Sequence, residues 1–275
     1  EVEISNAGRY SRAFEPHSIK LEAKKKYGYD NFFAFTPFSD KPYNKYKSLK
    51  IRNGGNSYQA RFRDAAMHEV FQRSGVNLDC QSYQPVHHYI NGVYKGVLNL
   101  REPNNRDYAY ANYGIGDDNM DMFKVDHNYG DTGHGYGYAQ ITGTGDAWDE
   151  LLELSWNAAD EDSYNRICQL LDIGEFANYM AAEFILYNSD WPRNNVKAFR
   201  RRPDGRFRFI LFDIDNILGY GADSSISDPF AAFDAEEYRS VIVTLFHNLL
   251  ANDTFNKLFV DSYCILIGSV FQPDH

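Results

Sequence analysis

The chain has 275 residues, 43% of them hydrophobic, enough to bury a sizeable core in one large domain or two small ones. Its formal net charge of −10 excludes a nucleic-acid scaffold as the main role, because phosphate-backbone binding needs a basic surface. A site for a single nucleotide stays open, since a local field can differ from the net charge. Cys80, Cys168 and Cys264 are an odd number in no metal-ligand spacing, which excludes a disulfide framework and leaves the redox compartment undecided.

In chain order, an alternating stretch around Ser18 to Leu21 predicts a short strand, and "YKSLKIRNGGN" (46–56) a strand closed by a Gly-Gly turn. "RFRDAAMHEVFQRSG" (61–75) carries a helical stripe of Ala66, Met67, Val70 and Phe71 that Gly75 stops. "PVHHYINGVYKGVLNLRE" (85–102) is a hairpin turning at Asn91-Gly92. His87 and His88 are neighbours in its first strand, point to opposite faces and cannot share a zinc ion. The glycine-rich tract 130–146 lacks the strand and helix a phosphate-cradling loop needs, and is expected to be a mobile insertion, a lid or a recognition loop. From about 145 the pattern turns helical through "EFANYMAAEFILYN", which is apolar enough to be buried. A strand pair, "VKAFRRR" and "RFRFILFD", then turns at Pro203-Asp204-Gly205 before two last helices, "EEYRSVIVTLFHNLL" and "TFNKLFVDSYCILIGSVF". Strands with one helix followed by helices with one hairpin predict an α+β fold of two lobes. No apolar run approaches the roughly 20 residues of a membrane span.

The chemistry concentrates in "NSDWPRNN" (188–195) and "FDIDN" (212–216). Asn195 and Asp213 are equidistant from Asp204, so a regular hairpin centred there sets them directly opposite, side chains on one face and about 5 Å apart at Cβ. A carboxylate and an amide oxygen so placed suit one hard divalent cation. Asp190 stands at the mouth of the hairpin, and Asp215 returns to the side of Asp213 along an extended chain. Alone, Asp-x-x-x-x-Asn is a helix end and a turn. Three carboxylates converging after apolar segments favour an active site, because burying acids without a cation or partner is costly. The order Asp-x-x-x-x-Asn, hairpin, Asp is that of protein-kinase-type phosphoryl transfer.

Several stretches then resemble one family, the spore-coat protein H (CotH) kinases: "GRYSR", "HSIKL", "YKSLKIRNGG", "RFRDAAMHEVF", "YINGVYKGVLNLRE", "NSDWPRNNVKAFRR" and "RFRFILFDIDNILGYG". The similarity spans nearly the whole chain. It implies an atypical protein-kinase-like fold, with a strand-rich N-terminal lobe over 1–104 and a mostly helical lobe over 105–275, the chain beginning and ending inside the family's usual span. It implies ATP and Mg²⁺ or Mn²⁺ as cofactors, a protein hydroxyl as acceptor, no nucleic-acid partner, and an extracytoplasmic, secreted or cell-surface location. By position, Asp190 would be the catalytic Asp, a base or orienter; Asn195, Asp213 and Asp215 would be on the metal side. Lys20 would contact phosphate, with Arg12, Glu69 and Glu102 as further nucleotide-side candidates. Two departures stand out: Pro16-His17 replaces a lysine pair, and Trp191 follows the catalytic Asp where many family kinases have Arg. A non-catalytic kinase-like surface protein that binds a protein or glycan is the alternative. A glycosidase would need its acids further apart than a hairpin sets them.

Overall fold

The computed structural model describes residues 1–8, 10–28, 30–54, 61–125, 138–218, 228–235 and 240–272. Among these residues the chain forms ten strands and eight α-helices, an α+β composition. The order begins β1 (Glu3–Asn6), β2 (Ile19–Glu22), β3 (Ser48–Arg52), α1 (Arg63–Ser74), β4 (Asp79–Cys80), β5 (Tyr83–Ile90), β6 (Val93–Arg101) and α2 (Arg106–Tyr113). It continues β7 (Met120–Val125), β8 (Tyr138–Thr142), α3 (Asp146–Ser155), α4 (Glu161–Leu170) and α5 (Ile173–Leu186). The last elements are β9 (Val196–Arg201), β10 (Arg208–Leu211), α6 (Pro229–Asp234), α7 (Val241–Leu250) and α8 (Asp253–Ile265). No described helix is long and apolar enough to cross a membrane.

Two compact units result. The first holds Glu1–Val70, Gln81–Gly116 and the tripeptide Asp213–Asp215; the second holds Phe71–Cys80, Asp117–Phe212 and Asn216–His275. In the first, an antiparallel sheet runs β1-β2-β3-β6-β5. Alternation in β3 sends Leu49 and Ile51 into a core with Phe38, Tyr46, Leu100 and Ala111. Ser48, Lys50 and Arg52 therefore share the other face. The hairpin between β5 and β6 turns where expected, with Asn91 and Gly92 both left-handed (φ 49° and 78°), as a two-residue turn of this kind requires.

Helix α2 belongs to this first unit, whose second segment runs to Gly116. Asn105 caps it by accepting from the Asp107 N–H, and the Asp107 carboxylate accepts from the backbone N–H groups of Lys47 and Ser48 (2.9 and 3.2 Å). The N-terminal turn is pinned in the same manner. The Ser18 hydroxyl donates to Asn53 Oδ1 (2.8 Å) and accepts from Asn53 N–H (3.0 Å), tying "HSIKL" to the residue that follows β3.

The second unit has a sheet of order β4-β10-β9-β7-β8, parallel only between β10 and β4. Strand β7 carries no alternation in "MDMFKV" because five of its six residues are buried, so both faces are covered. Strand β8 corrects part of the expectation for the glycine-rich tract: 138–142 pair with β7 rather than forming a loop, while 130–137 lie outside the described residues. Helix α5 is buried along most of its length, and its Phe176 and Tyr179 pack on Phe209 of β10 at ring distances of 5.0 and 5.1 Å. Helix α7 starts at a Ser240 cap; the earlier part of the helix expected there, 236–239, lies outside the described residues.

Leu49 is fully buried in the first unit's core. Leu49→Ala should cost about 2–5 kcal/mol of stability in a urea melt, the range for emptying a packed leucine site.

Candidate functional site

The first unit assembles a charged cluster around one buried carboxylate. Asp64, in the first turn of α1, accepts from Arg101 Nη2 and from the Ile214 backbone N–H (3.0 Å), and lies 3.6 Å from Arg52 Nη1. Arg52, at the end of β3, donates from Nη2 to Asp213 Oδ1 (2.5 Å) and to Asp215 Oδ2 (3.2 Å). Burial alone would raise the Asp64 carboxyl, but Arg101, Arg52 and His68 outweigh it and hold it well below its ordinary value. Arg52 is likewise held charged: its three carboxylates more than offset the cost of burial. Asp213 has a left-handed backbone (φ 57°), costly for a residue with a Cβ. Asp64 and Arg52 hold the tripeptide in that conformation from both sides.

Beside this cluster lies a row of cations. Lys20, Lys50 and Arg101 are direct cross-strand partners on β2, β3 and β6, and so face the same side. Like charges directly opposed are destabilising. Lys20 is relieved by Glu22 (3.1 Å), and Arg101 by Asp64. Among the described residues Lys50 has no hydrogen bond or ion pair of its own. Burial, then Arg52, then Lys20 push its ammonium below the ordinary value, against the pull of Asp213.

The second unit builds the turn that carries Asp190. Tyr187 closes α5 in a left-handed conformation (φ 48°). Asn188 then donates to the fully buried Glu183 (3.0 Å) and accepts from the Asp190 N–H (3.3 Å), so the helix positions the acid through one amide. Trp191 is buried, stacks on Phe233 at 5.0 Å and donates to the Tyr179 hydroxyl (3.0 Å). That packing accounts for an aromatic after the acid. A cavity of about 140 Å³ lies beside the turn, lined by Glu183, Phe184, Tyr187, Trp191, Arg193 and Phe233 among others. Burial pushes Glu183 up to about 8, so near neutral pH it is mostly an uncharged acid.

The expected direct opposition of Asn195 and Asp213 is not what the hairpin does. The register pairs Phe199 with Arg208 and Ala198 with Phe209, which carried outward sets Asn195 against Phe212. The turn is centred between Pro203 and Asp204, not on Asp204, and a shift of one residue changes which partners share a face. Neither residue lies in a strand: β9 begins at Val196 and β10 ends at Leu211, and Asn195, like Asp213, is left-handed (φ 60°). Asp190 and Asn195 belong to the second unit, Asp213 and Asp215 to the first.

The other candidates sit as follows. Lys20 is half-buried and paired with Glu22; Arg12 is exposed in a short 3-10 turn; Glu69 is half-buried on α1. Glu102, a nucleotide-side candidate, is an interior group of the first unit. Its carboxyl is fully buried, accepting from Ser82 N–H (3.0 Å) and Asn112 Nδ2 (2.8 Å) and meeting Lys41 Nζ (3.2 Å). Burial raises it to about 7, although Lys41, Ser82 and Asn112 pull the other way. Sequence reasoning missed Lys50, Arg52 and Arg101, and Asp64, which reads as an ordinary first-turn acid of a solvated helix face, is instead buried. The signal was the alternation in "SLKIR": once Leu49 and Ile51 face the core, Lys50 and Arg52 share the opposite face.

The donors at Asp213 fit a hard divalent ion. The side chain is 41% exposed, and the guanidinium takes only Oδ1. Among the described residues no three His, Cys, Asp or Glu side chains meet as a ligand set. The cation that Asp64, Asp213 and Asp215 share is Arg52.

A family model described as CotH kinase protein matches residues 4–275. No curated protein matches the chain.

Glu183 makes a pH test of this architecture. The folded protein keeps its proton up to about pH 8, whereas the unfolded chain releases it near 4.5. The folded state thus binds more protons across that window, and stability falls as pH rises through it. Glu183→Gln cannot ionise and should flatten the fall, by on the order of 3 kcal/mol between pH 5 and pH 8, read from urea melts at the two pH values.

Proposed function

The chain belongs to the CotH kinase family, and we propose on that premise that it is an ATP- and divalent-metal-dependent phosphotransferase of two-lobed, protein-kinase-like fold, acting on a protein hydroxyl. The observation that carries this reading is in the first unit, where a cross-strand row of cations stands beside two carboxylates. Lys20, Lys50 and Arg101 share a face next to Asp213 and Asp215, which Arg52 binds. Cations opposed on neighbouring strands are tolerated where an anion of high charge binds.

In this reading Lys50 contacts the phosphates. It is the cation of the row without a partner among the described residues, whereas Lys20 already holds Glu22. Asp213 is the metal ligand of the first unit, and Asp215 holds Arg52 in place; Asn195, in the second unit, keeps the metal-side role that the family resemblance implies. A divalent ion held at Asp213 would supply positive charge against the negative charge that develops on the phosphates. Asp190 accepts the proton of the acceptor hydroxyl as that oxygen takes the γ-phosphoryl group from ATP, which leaves as ADP. The aromatic cavity beside the Asp190 turn suits a protein side chain as acceptor or anchor. An extracytoplasmic location is part of the same proposal and follows from the family resemblance.

A second reading, a kinase-like protein that binds without catalysis, draws on the β5–β6 hairpin. There Tyr89, Val93, Tyr94 and Val97 are exposed together, as on a binding surface.

A thermal-shift titration with ATP and Mg²⁺ or Mn²⁺ separates the two, since a ligand stabilises only what it binds. A rise in Tm is expected for the wild type, lost in Asp213→Ala and reduced in Lys50→Met. Asp190→Ala should keep the rise yet lose phosphoryl transfer by about 10²-fold or more, the scale of a general-base contribution. No rise in the wild type, or an undiminished one in Asp213→Ala, rejects the phosphotransferase.

A further inference from the structure

Resting on the reading of Asp213 as a metal ligand, we propose that Arg52 is the resident counter-cation of Asp213 and Asp215, a positioning residue that keeps a bare divalent ion off Asp213 and lets the ion settle only together with a polyphosphate. A guanidinium this close to a metal-binding carboxylate is no part of the charge scheme usual for such sites, where the metal itself supplies the positive charge.

The geometry gives two reasons. First, Arg52 cannot step aside cheaply. One of its nitrogens bridges Asp213 Oδ1 and Asp215 Oδ2, while the other faces Asp64, and Asp64 is already bonded to Arg101. The Asp215 side chain is only 4% exposed, so withdrawing the guanidinium would take a positive partner from a buried carboxylate. Arg52 therefore stays, and an incoming ion must bind through Asp213 Oδ2 with a guanidinium on the other oxygen of the same carboxylate.

Second, the charges are already balanced. Asp64, Asp213 and Asp215 face Arg52 and Arg101, with the Lys50 ammonium close enough to feel both Arg52 and Asp213. Three negative and three positive groups cancel. A divalent ion alone leaves this half-buried cluster with two positive charges in excess, which is unfavourable where water screens poorly. A nucleotide polyphosphate brings the missing negative charge and finds Lys50 and Arg52 as partners. Metal and polyphosphate thus favour each other's binding by the same factor.

Binding, measured apart from turnover, decides the matter. Mn²⁺ affinity is read by electron paramagnetic resonance on the whole chain, with and without a non-hydrolysable ATP analogue, for wild type, Arg52→Gln and Arg52→Lys. The wild type should bind bare Mn²⁺ at least tenfold more weakly than Mn²⁺ with the analogue. Arg52→Gln should bind bare Mn²⁺ at least tenfold more tightly than wild type, and its gain from the analogue should shrink by a similar factor. Arg52→Lys, which keeps the charge, should stay near wild type. Bare-Mn²⁺ affinity unchanged or weakened in Arg52→Gln overturns the proposal. If Arg52→Gln does not fold, the side-chain Nε–Hε resonance of Arg52 in the unaltered protein decides. It should move with Mg²⁺ plus the analogue and stay still with Mg²⁺ alone at the same concentration, and movement with Mg²⁺ alone overturns the proposal. A wild type that takes no nucleotide, while Arg52→Gln gains tenfold in bare Mn²⁺ affinity, would end the phosphotransferase reading yet support Arg52 as the competitor for Asp213.

Discussion

Asp64 is the carboxylate on which the first unit turns. It is buried, and it is answered by two guanidiniums and one backbone N–H drawn from three separate parts of the chain. Arg52 comes from β3, Arg101 from β6 and Ile214 from a tripeptide more than a hundred residues further on. Removing one partner of such a set leaves an uncompensated buried charge, which typically costs about 3–5 kcal/mol. The set therefore acts as a unit, and it draws Asp213–Asp215 into a compact body whose other members end at Gly116.

That interaction also decides what the two carboxylates of "DID" present to solvent. Their positive partner, Arg52, is a residue of the same unit, and it holds both acids in position. Asp213 keeps one oxygen toward solvent, whereas Asp215 is almost wholly enclosed. The adjacent row of Lys20, Lys50 and Arg101 is the unfavourable part of the same design, relieved by Glu22 at one end and Asp64 at the other. The strain of the left-handed Asp213 and the crowding of like charges both fall beside the residues most suited to chemistry.

The second unit reaches a similar end by other means. Its acid, Asp190, is positioned by a neutral group: Glu183, kept protonated by burial, holds Asn188, and Asn188 takes the Asp190 N–H. Packing of Trp191 on Phe233 and its bond to Tyr179 fix the next residue of the turn. The replacement expected from the family resemblance, tryptophan for arginine, is thus a packing choice in an aromatic core.

Much of this was legible in the sequence. Hydrophobic periodicity found α1, α3 and α4, which each have one face in a core, while a long apolar run marked α5 and turn residues between strand-like runs marked the two hairpins. It missed β7, whose faces are both covered, and β8, which sits in a glycine-rich tract and becomes a strand only by pairing with β7. The motif residues Asp190, Asn195, Asp213 and Asp215 stood out by type and spacing. Their geometry did not, because the register of a hairpin depends on where the turn is centred, and one residue changes every partner.

By itself, then, the sequence determined an α+β chain, its chief elements, and the acids and amide of the candidate site, since these follow from local pattern and residue chemistry. Only the tertiary structure decided that Arg52 is the partner of Asp213 and Asp215, that Glu102 is an interior group, and that Lys50 is the cation of its row left without a pairing among the described residues. The physical reason is the same in each case. A charge finds its partner through space, across sequence separations of 161 and 163 residues for Arg52, and no local pattern carries that information.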